Sequence, residues 1–317
     1  MLQVLVSRRI PVADGICSFE LQAVDGTDLP PFTAGAHIDV QTPAGATRQY
    51  SLCNHPEERH RYLIGVLKDP QSRGGSQAMH EQVEQGQTLT ISEPRNLFQL
   101  AADGKKHLLF AGGIGITPML AMAYELSQRG VDFELHYSFR NKTNAAFLDV
   151  LAEAPFAHHV TLYDNGAPPA AILDAPAVLA APAPGVHLYV CGPLGYMDYV
   201  LSSAASQGWP AERTHREFFA AAPVEHEGDQ PFEVELATSG QVLHIPADRS
   251  VFEVLDGAGI EIETSCEQGI CGACITRVLQ GTPDHRDQFM TDKEHAVNDR
   301  FTPCCSRAKT PRLVLDL

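Results

Sequence analysis

Three of the eight cysteines in this 317-residue chain lie within nine positions, in the stretch SCEQGICGACITR. Cys266, Cys271 and Cys274 have the spacing C-x4-C-x2-C, and Cys304 follows thirty residues later in FTPCCSRA. Thiol clusters of this size form disulfides, bind zinc or hold an iron–sulfur cluster. Structural zinc sites favour two closely spaced ligand pairs, whereas C-x4-C-x2-C with one distant cysteine is typical of plant-type 2Fe-2S clusters. The spacing predicts a 2Fe-2S cluster, and by itself it leaves open whether Cys304 or the adjacent Cys305 is the fourth ligand.

The chain has the composition of an ordinary globular protein, with 20% charged and 44% hydrophobic residues. Its first residues, MLQVLVSRRIPVADG, contain no small-residue cleavage site of a secretory signal, and no stretch approaches about 18 consecutive apolar residues. We therefore expect a cytoplasmic protein without a membrane span, in which disulfides are rare. The formal net charge of −16 argues against nucleic acid and anionic membrane surfaces as partners.

The negative charge is concentrated near the cysteine cluster, because residues 226–317 carry −8 of the total of −16. Two interpretations are open. An acidic surface keeps a protein soluble, and it can also steer a protein towards a basic surface on a partner. The second interpretation predicts a thinly covered cluster loop flanked by acidic side chains. The expected flanking residues are Glu267, Asp284, Asp287 and Asp292.

Hydrophobic patterns divide the chain into three domains, and together they predict a multidomain α+β fold. In residues 1–102, short alternating runs between glycine, proline and aspartate favour an antiparallel β-barrel. Residues 103–225 alternate strands with helices, which is typical of a doubly wound α/β domain. In residues 229–317, terminal strands enclose a helix and the cysteine loop, which predicts a β-grasp arrangement.

Two turns in the middle domain follow predicted strands and precede predicted helices. The first lies in LLFAGGIGITPML, where Thr117 is the expected helix N-cap, and the second lies in VHLYVCGPLGYM. A glycine-rich turn before a helix suits the phosphates of a nucleotide, although these turns lack the usual G-x-G-x-x-G and are a weak signal alone. The turn residues are Gly112, Gly113, Gly115, Cys191, Gly192 and Pro193.

Two stretches of the first domain carry side chains suited to a phosphorylated aromatic ligand. In RQYSLCN, strand alternation places Arg48 and Tyr50 on one face and Gln49 and Ser51 on the other. A tyrosine can stack on an aromatic ring and an arginine can pair with a phosphate, but the same pattern also fits an ordinary half-buried strand. In SRGGSQAMHEQV, free N–H groups at a helix start predict an anion site. Its residues are Arg73, Gly74, Gly75 and Ser76.

The segments CEQGICGACITRVLQGTPDHRDQFMTDKEH and FTPCCSRAK resemble the C-terminal ferredoxin module of the phthalate dioxygenase reductase family, especially its vanillate O-demethylase reductase members. The resemblance covers essentially the whole chain. In that family the first cysteine of the C-x-S-R-A element is the cluster ligand, which implies Cys304. The ligand set implied for the cluster is Cys266, Cys271, Cys274 and Cys304.

The resemblance also implies FMN in the first domain and a pyridine nucleotide in the second. It places an aromatic residue against the flavin ring, for which Phe219 matches better than Phe218. It places Cys191 near the nicotinamide carbon that gives up hydride. The expected catalytic residues are Ser51 and Cys191. The expected cofactor-binding residues also include Arg48, Gln49, Tyr50, Val66 and Thr117.

The resemblance finally implies the activity, an NADH-dependent reductase that supplies electrons to a separate terminal Rieske oxygenase acting on an aromatic acid. NADH is expected over NADPH because family members with an arginine like Arg140 use NADH, even though Arg140 and Lys142 would suit a 2′-phosphate. This chain lacks paired Rieske ligands of its own. Two alternatives remain open, a reductase for a cytochrome P450 and a redox-sensing interaction module without turnover.

Overall fold

The computed structural model of the protein describes residues 1–70, 74–219 and 228–317. The chain forms two compact units, Met1–Phe219 and Ala220–Leu317. The first unit contains an antiparallel and a parallel sheet, and the second contains a mixed sheet. The predicted boundary between residues 225 and 229 falls partly outside the described residues, and the three domain boundaries stay predictions.

The antiparallel sheet has six strands in the order β4-β3-β6-β1-β2-β5. An antiparallel bridge between Leu52 and Ile64 links the two edge strands, so the sheet closes on itself as the predicted barrel. Its interior is apolar, with Phe19, Ile38 and Tyr62 fully buried. The elements are β1 (Leu2–Ala13), β2 (Ile16–Ala23), β3 (His37–Gln41), β4 (Thr47–Ser51), β5 (Tyr62–Leu67), α1 (Gly75–Gln82) and β6 (Thr88–Ile91).

The parallel sheet has five strands in the order β11-β10-β7-β8-β9, and alternate strand residues face opposite layers of helices. Leu109 packs in the layer with the first helix after β7, and Leu108 packs in the layer with the helix after β10. This is the predicted doubly wound arrangement, and the strand order reverses between β7 and β10. The elements are β7 (Lys106–Gly112), α2 (Ile116–Arg129), β8 (Asp132–Phe139), α3 (Leu148–Glu153), β9 (Val160–Asp164), α4 (Ala175–Val178), β10 (Val186–Cys191), α5 (Leu194–Ser206) and β11 (Thr214–Glu217).

Helix α2 begins earlier than its sequence predicts. Residues Gly113–Gly115 form a 3-10 turn that runs directly into the helix, so the N-cap is Gly115. Thr117 lies inside the first turn, where its hydroxyl donates to the carbonyl of Ile114 at 3.1 Å. The prediction of Thr117 as N-cap is therefore wrong, because the backbone is already helical two residues before it.

The second unit has a five-stranded sheet in the order β13-β12-β18-β14-β16, in which β12 and β18 are parallel. Helix α6 buries Val251 and Leu255 against this sheet, and a capping box of Ser250 and Glu253 fixes its start. One helix packed across a mixed sheet is the predicted β-grasp arrangement. The elements are β12 (Phe232–Leu236), β13 (Val242–Ile245), α6 (Val251–Gly257), β14 (Thr276–Gln280), β15 (Pro283–Asp284), α7 (Asp292–Val297), β16 (Arg300–Phe301), β17 (Arg307–Ala308) and β18 (Arg312–Leu315).

Across the three described ranges, none of the helices combines the length and the apolar character that a bilayer crossing requires.

Candidate redox site

The two glycine-containing turns meet where the strand order of the parallel sheet reverses. Ala111 and Cys191 are paired at the carboxyl ends of β7 and β10, and Cys191 is paired with Glu217 at the end of β11. Only glycine fits at position 115, because a Cβ atom there would lie 2.2 Å from the carbonyl oxygen of Cys191. Open α/β sheets bind their ligands at such a reversal, outside the carboxyl ends of the strands.

Three polar or thiol side chains from both sheets of the first unit come together at this edge. The hydroxyl of Ser51, the last residue of β4, donates to a carboxylate oxygen of Glu217 at 3.3 Å. Cys191, which pairs with Glu217, is fully buried. The arrangement brings Ser51 and Cys191, the two predicted catalytic residues, to the same carboxylate.

Burial raises the pKa of both acids of this group. It raises the pKa of Glu217 to about 8, although the hydrogen bond from Ser51 works in the opposite direction. Burial also raises the pKa of the Cys191 thiol, and the neighbouring Glu217 raises it further. The raised pKa values favour the neutral forms of the thiol and the carboxyl at the place where the resemblance puts hydride transfer.

The alternation predicted for β4 places Arg48 and Tyr50 on one face. The ring of Tyr50 is half-buried, but its hydroxyl is buried and has no hydrogen-bond partner within the described chain. Burial raises the pKa of this hydroxyl, and the charge of Arg48 offsets only part of the effect. A buried hydroxyl without a partner fits a site that a polar ligand completes.

A possible phosphate position lies beside the same face, at the start of α1. The N-cap Gly74 has a φ of 93°, and the side chain of Arg48 lies close to Gly75. The hydroxyl of Ser76 accepts a hydrogen bond from the N–H of Asp69 at 3.2 Å. The helix start and the Arg48 side chain thus supply N–H donors and positive charge together. Arg73, which was predicted to add a second charge, lies outside the described residues.

Two residues predicted to bind a cofactor, Gln49 and Val66, do not direct their side chains towards the face that carries Arg48 and Tyr50. Gln49 donates to Asp39 at 3.1 Å and lies 3.2 Å from the imidazole of His37, on the other face of β4. The Val66 side chain is fully buried in the barrel core, and its carbonyl is 2.8 Å from the imidazole of His80. Any contact of Val66 with a flavin would have to use the backbone.

The two candidate aromatic residues after β11 differ in exposure. Phe218 packs against the helix layer that contains α5, and the guanidinium of Arg216 lies 5.3 Å from its ring centre. Phe219 is 38% exposed, so its ring is available to a ligand. This difference favours Phe219 over Phe218 as the residue that lies against a flavin ring.

In the second unit, the four cysteines of the predicted ligand set form two pairs. Cys266 and Cys271 share a hydrogen bond that lowers the pKa of the Cys266 thiol, and the sulfurs of Cys274 and Cys304 are 3.3 Å apart. Two backbone N–H groups of the loop donate to the sulfurs of Cys266 and Cys271 at 3.3 and 3.5 Å. Each iron of a 2Fe-2S cluster takes two thiolates, so two sulfur pairs with N–H donors fit that cluster.

Two glycines are needed for the tight course of this loop. Gly269 and Gly272 have φ values of 73° and 70°, in the left-handed region that favours glycine. A Cβ atom at Gly269 would lie 2.4 Å from the sulfur of Cys305, and one at Gly272 would lie 2.5 Å from the ring of Phe289. Cys305 is therefore packed behind the loop, against Gly269, whereas Cys304 faces Cys274.

The acidic residues predicted to flank the cluster loop do not all lie on the surface. The side chain of Asp287 is fully buried and contacts His295 at 3.1 Å, so its expected role in steering a partner is wrong. Asp284 forms an ion pair with Arg286 at 2.9 Å. Asp292 is exposed at the start of α7. Charges that lie close together in the sequence are thus divided between the interior and the surface.

Residues 234–309 match the model of the 2Fe-2S iron–sulfur cluster binding domain. Vanillate O-demethylase oxidoreductase of Pseudomonas putida is 58% identical over 318 residues, which cover 100% of both chains. The chain belongs to this family of oxygenase reductases. It is an oxidoreductase with an electron-transfer role, as the family resemblance in its sequence predicts.

Solved structures extend the family relationship to the fold. A structure of phthalate dioxygenase reductase, described as a modular structure for electron transfer from pyridine nucleotides to [2Fe-2S], is 39% identical. The match covers 100% of this chain and 98% of that one, with a TM-score of 0.78. An intact type IV self-sufficient cytochrome P450 monooxygenase matches with 38% identity and a TM-score of 0.86, and this chain covers 41% of its length. The predicted family and fold class are confirmed.

Glu217 is a residue of this site that the sequence reasoning missed. It stands two positions before Phe219, in a segment interpreted only for its aromatic residues. The available signal was a carboxylate near the end of a short strand in an α/β domain, where functional side chains gather.

Proposed function

We propose that this chain is the reductase component of a Rieske-type aromatic-acid oxygenase system, with NADH as electron donor and FMN and a 2Fe-2S cluster as cofactors. The observation that carries the proposal is the meeting of Ser51, Cys191 and Glu217 at the reversal of the parallel sheet. The four paired thiols of the second unit support an exit for single electrons. Identity of 58% over the full length with a vanillate O-demethylase oxidoreductase supports the oxygenase system.

The first unit supplies positions for both parts of a flavin mononucleotide. Arg48 and the start of α1 would hold the phosphate, and Tyr50 would meet the ring with its unpartnered hydroxyl. The exposed ring of Phe219 would cover the opposite side of the site. When bound, FMN accepts the two electrons of a hydride and releases them singly, which matches the one-electron capacity of the cluster.

The edge formed by β7, β10 and β11 would bind and orient the nicotinamide. The packed turns at Gly115 and Cys191 leave backbone N–H groups at the start of α2 for the nucleotide phosphates. Ser51, held by Glu217, would fix the position of the flavin ring edge. A buried site without a charged side chain would exclude water from the contact between the nicotinamide and the flavin ring. Direct hydride transfer would then be favoured over reactions with solvent.

The second unit would carry the cluster at low potential. Plant-type clusters have reduction potentials of about −400 mV, so the acceptor is a metal centre of higher potential. The 317 residues contain no paired Rieske ligands, and we propose a terminal oxygenase on a separate chain. We propose a cytoplasmic location for this electron transfer.

A reductase for a cytochrome P450 is a second candidate, and one observation favours it. The structure of a self-sufficient cytochrome P450 matches this whole chain with a TM-score of 0.86. However, this chain covers only 41% of that cytochrome P450 polypeptide. The oxidoreductase of Pseudomonas putida, by contrast, aligns with this chain over 100% of both lengths. The separate-chain relative supports a separate oxygenase as partner.

An anaerobic titration with NADH tests the function. We expect about 1.5 equivalents of NADH per chain to bleach both the flavin and the cluster absorbance, since FMN takes two electrons and the cluster takes one. A low-temperature electron paramagnetic resonance signal of the reduced cluster should develop in parallel. A redox-sensing module without turnover would leave both absorbance bands unchanged, and that result would refute the proposal.

Replacing Glu217 with glutamine tests whether ionisation of the Glu217 carboxyl slows flavin reduction. In the native protein, ionisation of Glu217 near pH 8 adds negative charge where hydride arrives, so we expect the flavin reduction rate to fall above that pH. In Glu217→Gln the rate at pH 7 should stay within about threefold, and the fall above pH 8 should disappear.

Stopped-flow measurement of flavin reduction by NADH between pH 6 and about 9.5 provides the comparison. The exposed Glu212, five positions earlier, is the matched control, and Glu212→Gln should keep the native pH profile. A Glu217→Gln variant with an unchanged profile would show that another group causes the pH dependence.

A further inference from the structure

Outside the cluster and the hydride site, His285, Asp287 and His295 form a compact group in the second unit. One imidazole nitrogen from each histidine and a carboxylate oxygen of Asp287 all lie within 4.8 Å of one another. The same oxygen is 3.1 Å from Nε2 of His295 and 4.0 Å from Nδ1 of His285. The two imidazole rings are stacked, with centres 4.4 Å apart and planes 16° apart. Two histidines and one carboxylate are a common donor set for divalent transition metals.

His285 presents a nitrogen that nothing in the described chain satisfies. Its side chain is 7% exposed, and its buried Nδ1 has no hydrogen-bond partner. Its other nitrogen, Nε2, is 3.2 Å from the amide oxygen of Asn298. An amide oxygen only accepts, so Nε2 carries the proton and Nδ1 points its lone pair into the group. Metal-bound histidines are oriented in this way, by an acceptor on the second nitrogen.

The carboxylate of Asp287 is also oriented by its second oxygen. That oxygen accepts a hydrogen bond from the N–H of Met290 at 2.8 Å, which leaves the first oxygen facing both histidines. The Asp287 side chain is fully buried, whereas His295 is 23% exposed and connects the group to solvent. Asn298 is fixed as the left-handed C-cap of α7, with a φ of 58°. Two of the three side chains, His285 and Asp287, are thus oriented by a second hydrogen bond.

A purely structural histidine–aspartate network explains only part of this arrangement. It accounts for the 3.1 Å contact of His295 with Asp287, but it leaves the Nδ1 lone pair of His285 buried beside a carboxylate 4.0 Å away. Two acceptors that face each other without a proton between them are unfavourable. A cation between the three atoms would satisfy both, and a tetrahedral zinc ion needs ligand atoms about 3.3 Å apart, given bond lengths of about 2.0 Å.

We propose that His285, Asp287 and His295 bind a divalent transition-metal cation, with Zn²⁺ as the preferred probe, at a site distinct from the four cluster cysteines. The three side chains would supply three of the four tetrahedral positions, and water the fourth. The backbone connects this site to the cluster loop, because the N–H of Gln288 donates to the carbonyl of Gly269 at 2.9 Å. The inference uses none of the residues that carry the proposed reductase function.

Equilibrium dialysis of the purified holoprotein against zinc chloride tests the site, with metal content measured by mass spectrometry. We expect one zinc ion per chain to bind saturably at micromolar concentration while iron and sulfide stay constant. His295→Ala should weaken zinc binding at least about 100-fold, and Asn298→Ala about 10-fold through loss of the orienting acceptor. His244→Ala is the matched control, because His244 is an exposed histidine of the same unit, and it should bind zinc like the native protein.

Three results would overturn the inference. They are the absence of saturable zinc binding below about 100 µM, equal binding by His295→Ala, and zinc uptake that matches a loss of iron. Because His285 is buried and its replacement could impair folding, the partly exposed His295 is the principal variant. The thermal unfolding midpoint gives an independent readout, since zinc should raise it in the native protein and not in His295→Ala.

Discussion

Replacing Cys304 with serine is expected to remove or strongly alter the 2Fe-2S spectrum, and replacing Cys305 is expected to leave it nearly intact. The sulfur of Cys304 lies 3.3 Å from that of Cys274, so the two form the second ligand pair. The sulfur of Cys305 instead lies 3.2 Å from the hydroxyl of Thr302. Cys304 therefore pairs with Cys274, whereas the sulfur of Cys305 packs against Gly269 and Thr302.

Visible absorbance, circular dichroism and iron content of the two purified variants measure this difference. Iron in Cys304→Ser should fall by at least about half, since a lost thiolate leaves one iron without its fourth ligand. Cys305→Ser is the matched control, because it makes the same atomic change one position away, and Cys17→Ser in the barrel controls for general thiol loss. Retention of the native spectrum in Cys304→Ser with its loss in Cys305→Ser would reverse the ligand assignment.

The cluster ligands could be predicted from spacing because the chemistry of the cluster fixes how far apart its thiolates lie. Spacing alone could not separate Cys304 from Cys305, since both follow Cys274 at nearly the same distance in sequence. The family resemblance favoured Cys304, and the orientation of the two side chains supports the same choice. The local motif thus predicts the type of site, and the identity of the last ligand depends on tertiary contacts.

The hydride site was only partly predictable, for a related reason. Ser51 and Glu217 are 166 positions apart, and they meet only because β4 of the barrel lies against the end of β11. No periodicity in either segment carries that information. The family resemblance implied Gln49 and Val66 as cofactor-binding residues, but their side chains contact His37 and the barrel core instead.

The fold was predicted at the level of sheets, and β1 is an example of a strand that strict alternation does not detect. Strand β1, at 12 residues the longest in the described chain, contains Arg8, Arg9 and Pro11, which break apolar alternation. The structure accommodates them with two register irregularities, one between Val6 and Arg8 and one between Pro11 and Ala13. Bulges shift the face on which each side chain lies, so a strict period of two does not detect such a strand.

Removal of residues 229–317 is expected to separate the two activities of the reductase. The hydride site and its supporting cores lie within Met1–Phe219, and the thiol pairs lie within Ala220–Leu317. The shortened chain should keep its FMN and reduce ferricyanide with NADH at a rate within about threefold of the full chain, because this small dye can take electrons from the flavin directly. Reduction of cytochrome c, and of the oxygenase, should fall at least about tenfold, because these protein acceptors depend on the cluster.

Parallel assays of NADH oxidation with ferricyanide and with cytochrome c, normalised to bound FMN, measure the separation. The full-length Cys304→Ser variant is the necessary control, because it removes the cluster while keeping the second unit in the chain. If both variants lose cytochrome c reduction equally, the cluster itself is the electron exit. Cytochrome c reduction at the full rate in the shortened chain would show that electrons leave from the flavin. Loss of FMN from the shortened chain would show that the first unit needs the second to bind its cofactor, contrary to the separate apolar cores of the two units.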